Sequence, residues 1–151
     1  MLNIVDNVEY NIVFALCFDY TRRVSMSTTR YDQGLEVRRS VLGKEYVDQS
    51  IKNADEFNQE LQQLVTEYCW GEIWTRPGLE RKQRSLINLA MITALNRPHE
   101  LKLHVQGALN NGCTEEEIKE EFLQCAIYCG VPAAIDSFRV AREVIVENRK
   151  K

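Results

Sequence analysis

Only two histidines, His99 and His104, and three prolines stand among the 151 residues, and no Cys-x-x-Cys occurs. The ligand spacing of a zinc site and the dithiol pair of a redox enzyme are therefore both missing. The five cysteines, Cys17, Cys69, Cys113, Cys125 and Cys129, are odd in number and irregularly spaced. That is a poor disulfide framework, and it points to a reducing, cytoplasmic setting. Nor is there an excess of positive charge. The 19 Lys and Arg against 22 Asp and Glu give a net charge of −3, with no basic stripe to attract nucleic acid, so an anionic ligand needs a local cluster of cations. No apolar run approaches the ~20 residues of a membrane span. The run over 12–18 follows Asp6 and Glu9, not the positive start of a secretory signal. Sustained strand-like alternation is absent as well.

Helical periodicity is what the chain does have. Leu35, Val37, Val41 and Leu42 recur along 31–42, and Gly43 supplies a stop signal. A short helix over 44–52 carries Tyr46, Val47 and Ile51. From Asp55 a longer one places Phe57, Leu61, Leu64, Val65 and Tyr68 on one face. It gives way to loop over 70–78, where Pro77-Gly78 marks a turn. The next helix, 81–95, joins Leu86 and Leu89 to Ile87 and Met91 in an apolar surface broad enough to predict burial on several sides. Pro98 suits the first turn of the following helix, which Asn110-Asn111-Gly112 closes. Thr114 and Glu117 fit a capping box ahead of a stripe of Ile118, Phe122, Cys125 and Cys129. Pro132 opens a last helix with Ala134, Phe138, Ala141 and Ile145 facing inward. The fold class is all-α, six to seven helices in one domain over 30–151, preceded by an extension over 1–29.

Chemistry concentrates between Trp70 and Gly112. Glu100 and His104 are four apart, hence on one helix face. A carboxylate beside an imidazole favours the imidazolium and orients the ring, which makes a proton donor near neutral pH. The same spacing also occurs in plain surface pairs. Arg76, Arg81 and Arg84 lie close in sequence, and guanidinium forks match carboxylates, although a charged helix start reads alike. Trp70 and Trp74 serve as a pocket wall or as core anchors.

These residues sit within a longer match. Tyr31-Asp32-Gln33-Gly34, Val37-Arg38-Arg39, Val41-Leu42-Gly43, Trp70-Gly71, Trp74-Thr75-Arg76-Pro77-Gly78-Leu79, Arg84-Ser85-Leu86, Glu100-Leu101-Lys102-Leu103-His104, Asn111-Gly112, Glu117-Ile118 and Tyr128-Cys129-Gly130-Val131-Pro132-Ala133-Ala134 occur in an order that resembles the carboxymuconolactone decarboxylase family. The resemblance runs from about Tyr31 to Val146. It implies a helical bundle like alkyl hydroperoxidase D, assembled as a homohexamer. The implied activity is cofactor-free conversion of 4-carboxymuconolactone, a lactone dicarboxylate, to 3-oxoadipate enol-lactone and CO2 in protocatechuate breakdown. His104 and Glu100 are then the catalytic pair, and Arg76, Arg81, Arg84 and Trp74 bind substrate. No metal, nucleic acid or membrane partner is implied. Relatives with peroxidase activity carry a Cys-x-x-Cys before the histidine. Aligned on His104, its positions fall on Arg97 and Glu100, and the peroxidase acid–base glutamate falls on Ser85, so dithiol chemistry is set aside. Competing readings are a decarboxylase of a related lactone or keto acid, a thiol-dependent antioxidant using Cys113 or Cys125, and a non-redox helical oligomer that binds small acids.

Overall fold

The computed structural model describes residues 29–150, and it is helical throughout, without strands among them. Among the described residues seven α-helices follow one another: α1 (Arg30–Leu42), α2 (Lys44–Lys52), α3 (Gln59–Leu64), α4 (Arg81–Ala94), α5 (Pro98–Asn110), α6 (Glu115–Tyr128) and α7 (Val131–Asn148). A π-helical segment, Val65–Ile73, continues α3. The extension expected over 1–29 lies outside the described residues except for Thr29. Its hydroxyl accepts from the Asp32 N–H, and the Asp32 carboxylate accepts from the Thr29 N–H, so Thr29 caps α1.

Local chemistry accounts for most boundaries. Gly43, Gly112 and Gly130 turn the chain with φ of 92°, 83° and 105°, a region that side-chain-bearing residues avoid. The expected capping box opens α6: the Thr114 hydroxyl accepts from the Glu117 N–H, and the Glu117 carboxylate accepts from the Thr114 N–H. Lys82 on α4 also reaches Glu117, at 2.7 Å. That hydrogen bond and the Thr114 backbone bond together hold the Glu117 carboxyl down to about 2.

Two apolar clusters fill the interior. Leu89, Val105, Ile118, Phe122, Ala141 and Val144 join α4, α5, α6 and α7. Complete burial of Phe122 or Leu89 contributes about 2 kcal/mol apiece. Val37, Val41, Val47, Trp70 and Trp74 join α1, α2 and the π segment, with Leu103 of α5 packed against them. Gly107 of α5 lies against Val41, whose carbonyl accepts from the Asn110 side chain at 2.8 Å. Helix α5 therefore links both clusters, and it is the helix that carries His104.

The chain departs from the sequence expectations in several places. It does not leave the helix at Trp70. The π turn persists to Ile73, and the Trp74 N–H bonds the Cys69 carbonyl five residues back, at 3.0 Å. The expected inner face of that helix is turned out: Phe57 is 97% exposed, and Leu61, Leu64 and Tyr68 are exposed as well. Thr66, Trp70 and Gly71 are buried instead, because the wider π turn carries the contact face round onto α1. Helix α4 buries one face, through Ser85, Leu89 and Thr93, whereas Ile87 and Met91 remain exposed. The breadth of its apolar surface exceeds what one chain covers. Phe138 of α7 and Cys129 are likewise more exposed than their stripes implied.

Candidate functional site

His104 occupies the middle of α5, partly shielded from solvent, and makes no hydrogen bond or ion pair among the described residues. Burial lowers its basicity below the ordinary value of 6.5, and the opposing pull of the Glu100 carboxylate is the smaller effect. The imidazolium anticipated from the Glu-x-x-x-His spacing is thus not the resting form. Removal of water disfavours the charged ring more than an exposed carboxylate one turn away favours it. A neutral imidazole still carries one N–H donor and one acceptor nitrogen, so the residue can donate to a developing oxyanion.

The arginines gather elsewhere, where the segment after Trp74 folds back over the start of α4. Arg84 donates through Nη2 to the Arg76 carbonyl at 2.9 Å, and Arg81 donates through Nη1 to the Ser40 hydroxyl of α1 at 2.9 Å. Arg76 is exposed and loosely paired with Glu72 at 3.9 Å. The Nε of Arg84 is buried and has no partner among the described residues, which leaves that guanidinium free to grip an anion.

No direct contact joins this cluster to His104 among the described residues. Helices α4 and α5 form an antiparallel hairpin in which the Asn111 side chain donates to the Ser85 hydroxyl at 2.9 Å. At a rise of 1.5 Å per residue, that register puts His104 roughly 12 Å along the axis from Arg84. A long guanidinium arm and a small substrate can span such a gap. Trp74 is buried at the centre of its cluster, tilted against Trp70 with ring centroids 4.8 Å apart. It is a core anchor that supports the Arg76 segment from beneath.

The thiols are poorly suited to nucleophilic chemistry. Burial raises Cys113 and Cys69 above the ordinary thiol value, and it raises Cys125 furthest, with the Glu121 hydrogen bond adding to the effect. A thiol held protonated is a weak nucleophile.

One residue escaped the sequence reading of the site. Arg38 shares a face of α1 with Gly34, Val41 and Leu42 and is 6% exposed. The available signal was a cation placed at an apolar position of a helical stripe. Its Nη1 donates to the Thr66 hydroxyl and its Nη2 to the Gln62 amide oxygen, each at 2.9 Å.

A family model for the carboxymuconolactone decarboxylase family matches residues 59–143, from α3 through most of α7. Among named relatives, 4-carboxymuconolactone decarboxylase of Acinetobacter baylyi is 46% identical over 115 residues, covering 76% of this chain and 86% of that one. Nitrosuccinic acid decarboxylase npaB of Metarhizium robertsii is 48% identical over 115 residues, covering 76% and 80%. A Pseudomonas putida 4-carboxymuconolactone decarboxylase is 42% identical over 43 residues, which are 28% of this chain and 90% of that one. With over half of its length matched by the family model and 76% of its length shared with the Acinetobacter baylyi relative, the chain belongs to the carboxymuconolactone decarboxylase family.

Proposed function

We propose that this chain is a carboxy-lyase that converts 4-carboxymuconolactone to 3-oxoadipate enol-lactone and CO2, a step of protocatechuate breakdown in the β-ketoadipate pathway. The observation that carries the reading is 46% identity, over most of both chains, to a relative of that name. The chemistry asks little of the protein. The departing carboxylate sits on the ring carbon γ to a conjugated lactone carbonyl. When the C–CO2 bond breaks, its electron pair enters the ring as a dienolate with charge on the lactone oxygen. A proton delivered to the carbon α to the carbonyl completes the enol-lactone. The substrate is its own electron sink, so the residues supply a grip on the spectator carboxylate and a donor for the oxyanion. Neutral, partly buried His104 is that donor, with the Glu100 carboxylate one turn away on the same helix, and the α carbon takes its proton from solvent water, whose hydroxide the medium neutralises. Arg84, with Arg76 and Arg81 beside it, holds carboxylate.

A second reading rests on the 48% identity to the nitrosuccinic acid decarboxylase. A nitro group accepts the electron pair of a departing carboxylate as a lactone carbonyl does, so one site can serve either acid. Ultraviolet monitoring of generated lactone, alongside CO2 release from nitrosuccinic acid, decides between them. Turnover of the lactone is expected, and release from nitrosuccinic acid alone would overturn the assignment. Arg84→Lys is expected to raise KM for the lactone about tenfold, since one charge-assisted hydrogen bond is worth ~1.5–3 kcal/mol. An unchanged KM removes Arg84 from the site.

The proposal includes a cytoplasmic homohexamer. It is supported by apolar side chains left exposed on three helices: Leu61 of α3, Ile87 and Met91 of α4, and Ile127 and Tyr128 of α6. Apolar surface of this kind marks contact with further chains. Light scattering from the full chain is expected to show six copies, and a monomer would remove this part of the reading.

A further inference from the structure

Arg38 is a buried guanidinium without a carboxylate partner among the described residues. Other arginines do find one: Arg39 with Asp48, Arg30 with Glu72, Arg139 with Asp136, and Arg149 with Glu115. Among the described residues the arginine most withdrawn from water is thus matched only by neutral acceptors, the Thr66 hydroxyl and the Gln62 amide oxygen. Holding a buried cation without a counter-charge is costly, by several kcal/mol per ion.

The free donor is in a telling place. Nε–H and the outer Nη2 donors share one edge of the planar guanidinium, and that edge is the one that grips a carboxylate with two parallel hydrogen bonds. Here Nη2 is occupied by Gln62, while Nε is buried and unbonded. Nη2 thus donates to an amide oxygen, while the Nε–H beside it is left without an acceptor among the described residues. Gln62 is half-buried and lines a cavity of ≈ 440 Å³, with Tyr31, Gln59 and Gln63 around it. A flexible glutamine at the cavity wall can swing aside. Thr66, fixed in the π segment, keeps the guanidinium plane in place from the other side.

We infer that the Nε/Nη2 edge of Arg38 is a carboxylate fork that holds the spectator carboxymethyl group of a succinate-like substrate, with Gln62 as the neutral stand-in that leaves when the carboxylate arrives. The ligand class rests on the function proposed above. 4-Carboxymuconolactone and nitrosuccinic acid have very different electron sinks, but both carry a CH2–COO⁻ arm on the carbon that loses CO2. One fork for that arm accounts for a single scaffold serving two decarboxylations.

The test uses the full chain and succinate, which has the shared arm and no electron sink. In nitrogen-15 spectra the Arg38 Nε–H resonance, identified by its loss in Arg38→Lys, is expected to shift saturably with succinate and to stay in place with dimethyl succinate. Gln62→Ala removes the competitor, so it is expected to bind succinate about threefold more tightly or better. An Nε–H resonance that ignores succinate in both the unaltered chain and Gln62→Ala overturns the fork, as does an equal shift with the diester. Failure of the decarboxylase reading would appear separately, as absent CO2 release with the succinate shift intact.

Discussion

Replacing His104 with alanine is expected to lower kcat for lactone decarboxylation by ~10²–10³-fold, the usual contribution of one positioned oxyanion donor. The side chain sits on the helix that ties both apolar clusters together, is partly withdrawn from water, and has no partner among the described residues to occupy it. Its protonation sets a second expectation. Burial pulls the ring below its ordinary value of 6.5 against the smaller upward pull of Glu100. At neutral pH the ring is therefore uncharged in the free protein. kcat/KM should be flat through neutrality and fall once the medium becomes more acidic than 6.5 and the ring takes up a proton. Glu100→Gln removes the upward pull, so that fall should move to still lower pH. A profile that rises as pH drops would make the imidazolium the working form, and near-normal kcat in His104→Ala would take the histidine out of the chemistry. The same burial is linked to folding. The unfolded chain binds this proton first, so the contribution of neutral His104 to stability is present above pH 6.5 and is lost as pH falls below it.

Gly34→Ala is expected to cost about 3 kcal/mol or more of folding stability, a large part of the ~5–15 kcal/mol typical of a domain. A methyl at Gly34 would overlap the Thr66 carbonyl oxygen and lie 2.7 Å from the Gly71 nitrogen. Both obstacles are backbone, so no rotamer change relieves them, and α1 must move off the π segment. Gly71→Ala meets the Arg30 carbonyl from the opposite side. Urea unfolding measures the loss, and Gly78→Ala, with nothing within 4 Å of its new methyl, provides the comparison. A Gly34→Ala midpoint equal to that of the Gly78 variant would show that the helices can separate at little cost. Such separation also breaks the Arg38 bonds to Thr66 and Gln62, so this contact supports the inferred fork as well as the fold.

Much of this architecture was legible in the residues themselves. The all-α class, the helices begun at Lys44, Arg81 and Pro98, the cap at Thr114 and the glycine turns at Gly43 and Gly112 depend on periodicity and on backbone groups a few residues apart. The Glu100–His104 pairing is equally local, being one turn of a helix. Tertiary structure decided what depends on neighbours distant in sequence. The helix was expected to give way to loop from Trp70, yet Gly71 is a point of close approach by α1, and the helix runs through it. The stripe from Phe57 to Tyr68 looked like core, but the π turn presents Thr66 and Trp70 instead. The charge on His104 was misjudged because desolvation, unlike a partner four residues away, cannot be counted along the chain. Arg38 acquired its meaning only when folding surrounded it with neutral acceptors and left one donor unbonded. Short-range hydrogen bonding and periodicity are written in the sequence; burial is a property of the assembled chain, and burial sets the energy of every charge in this site.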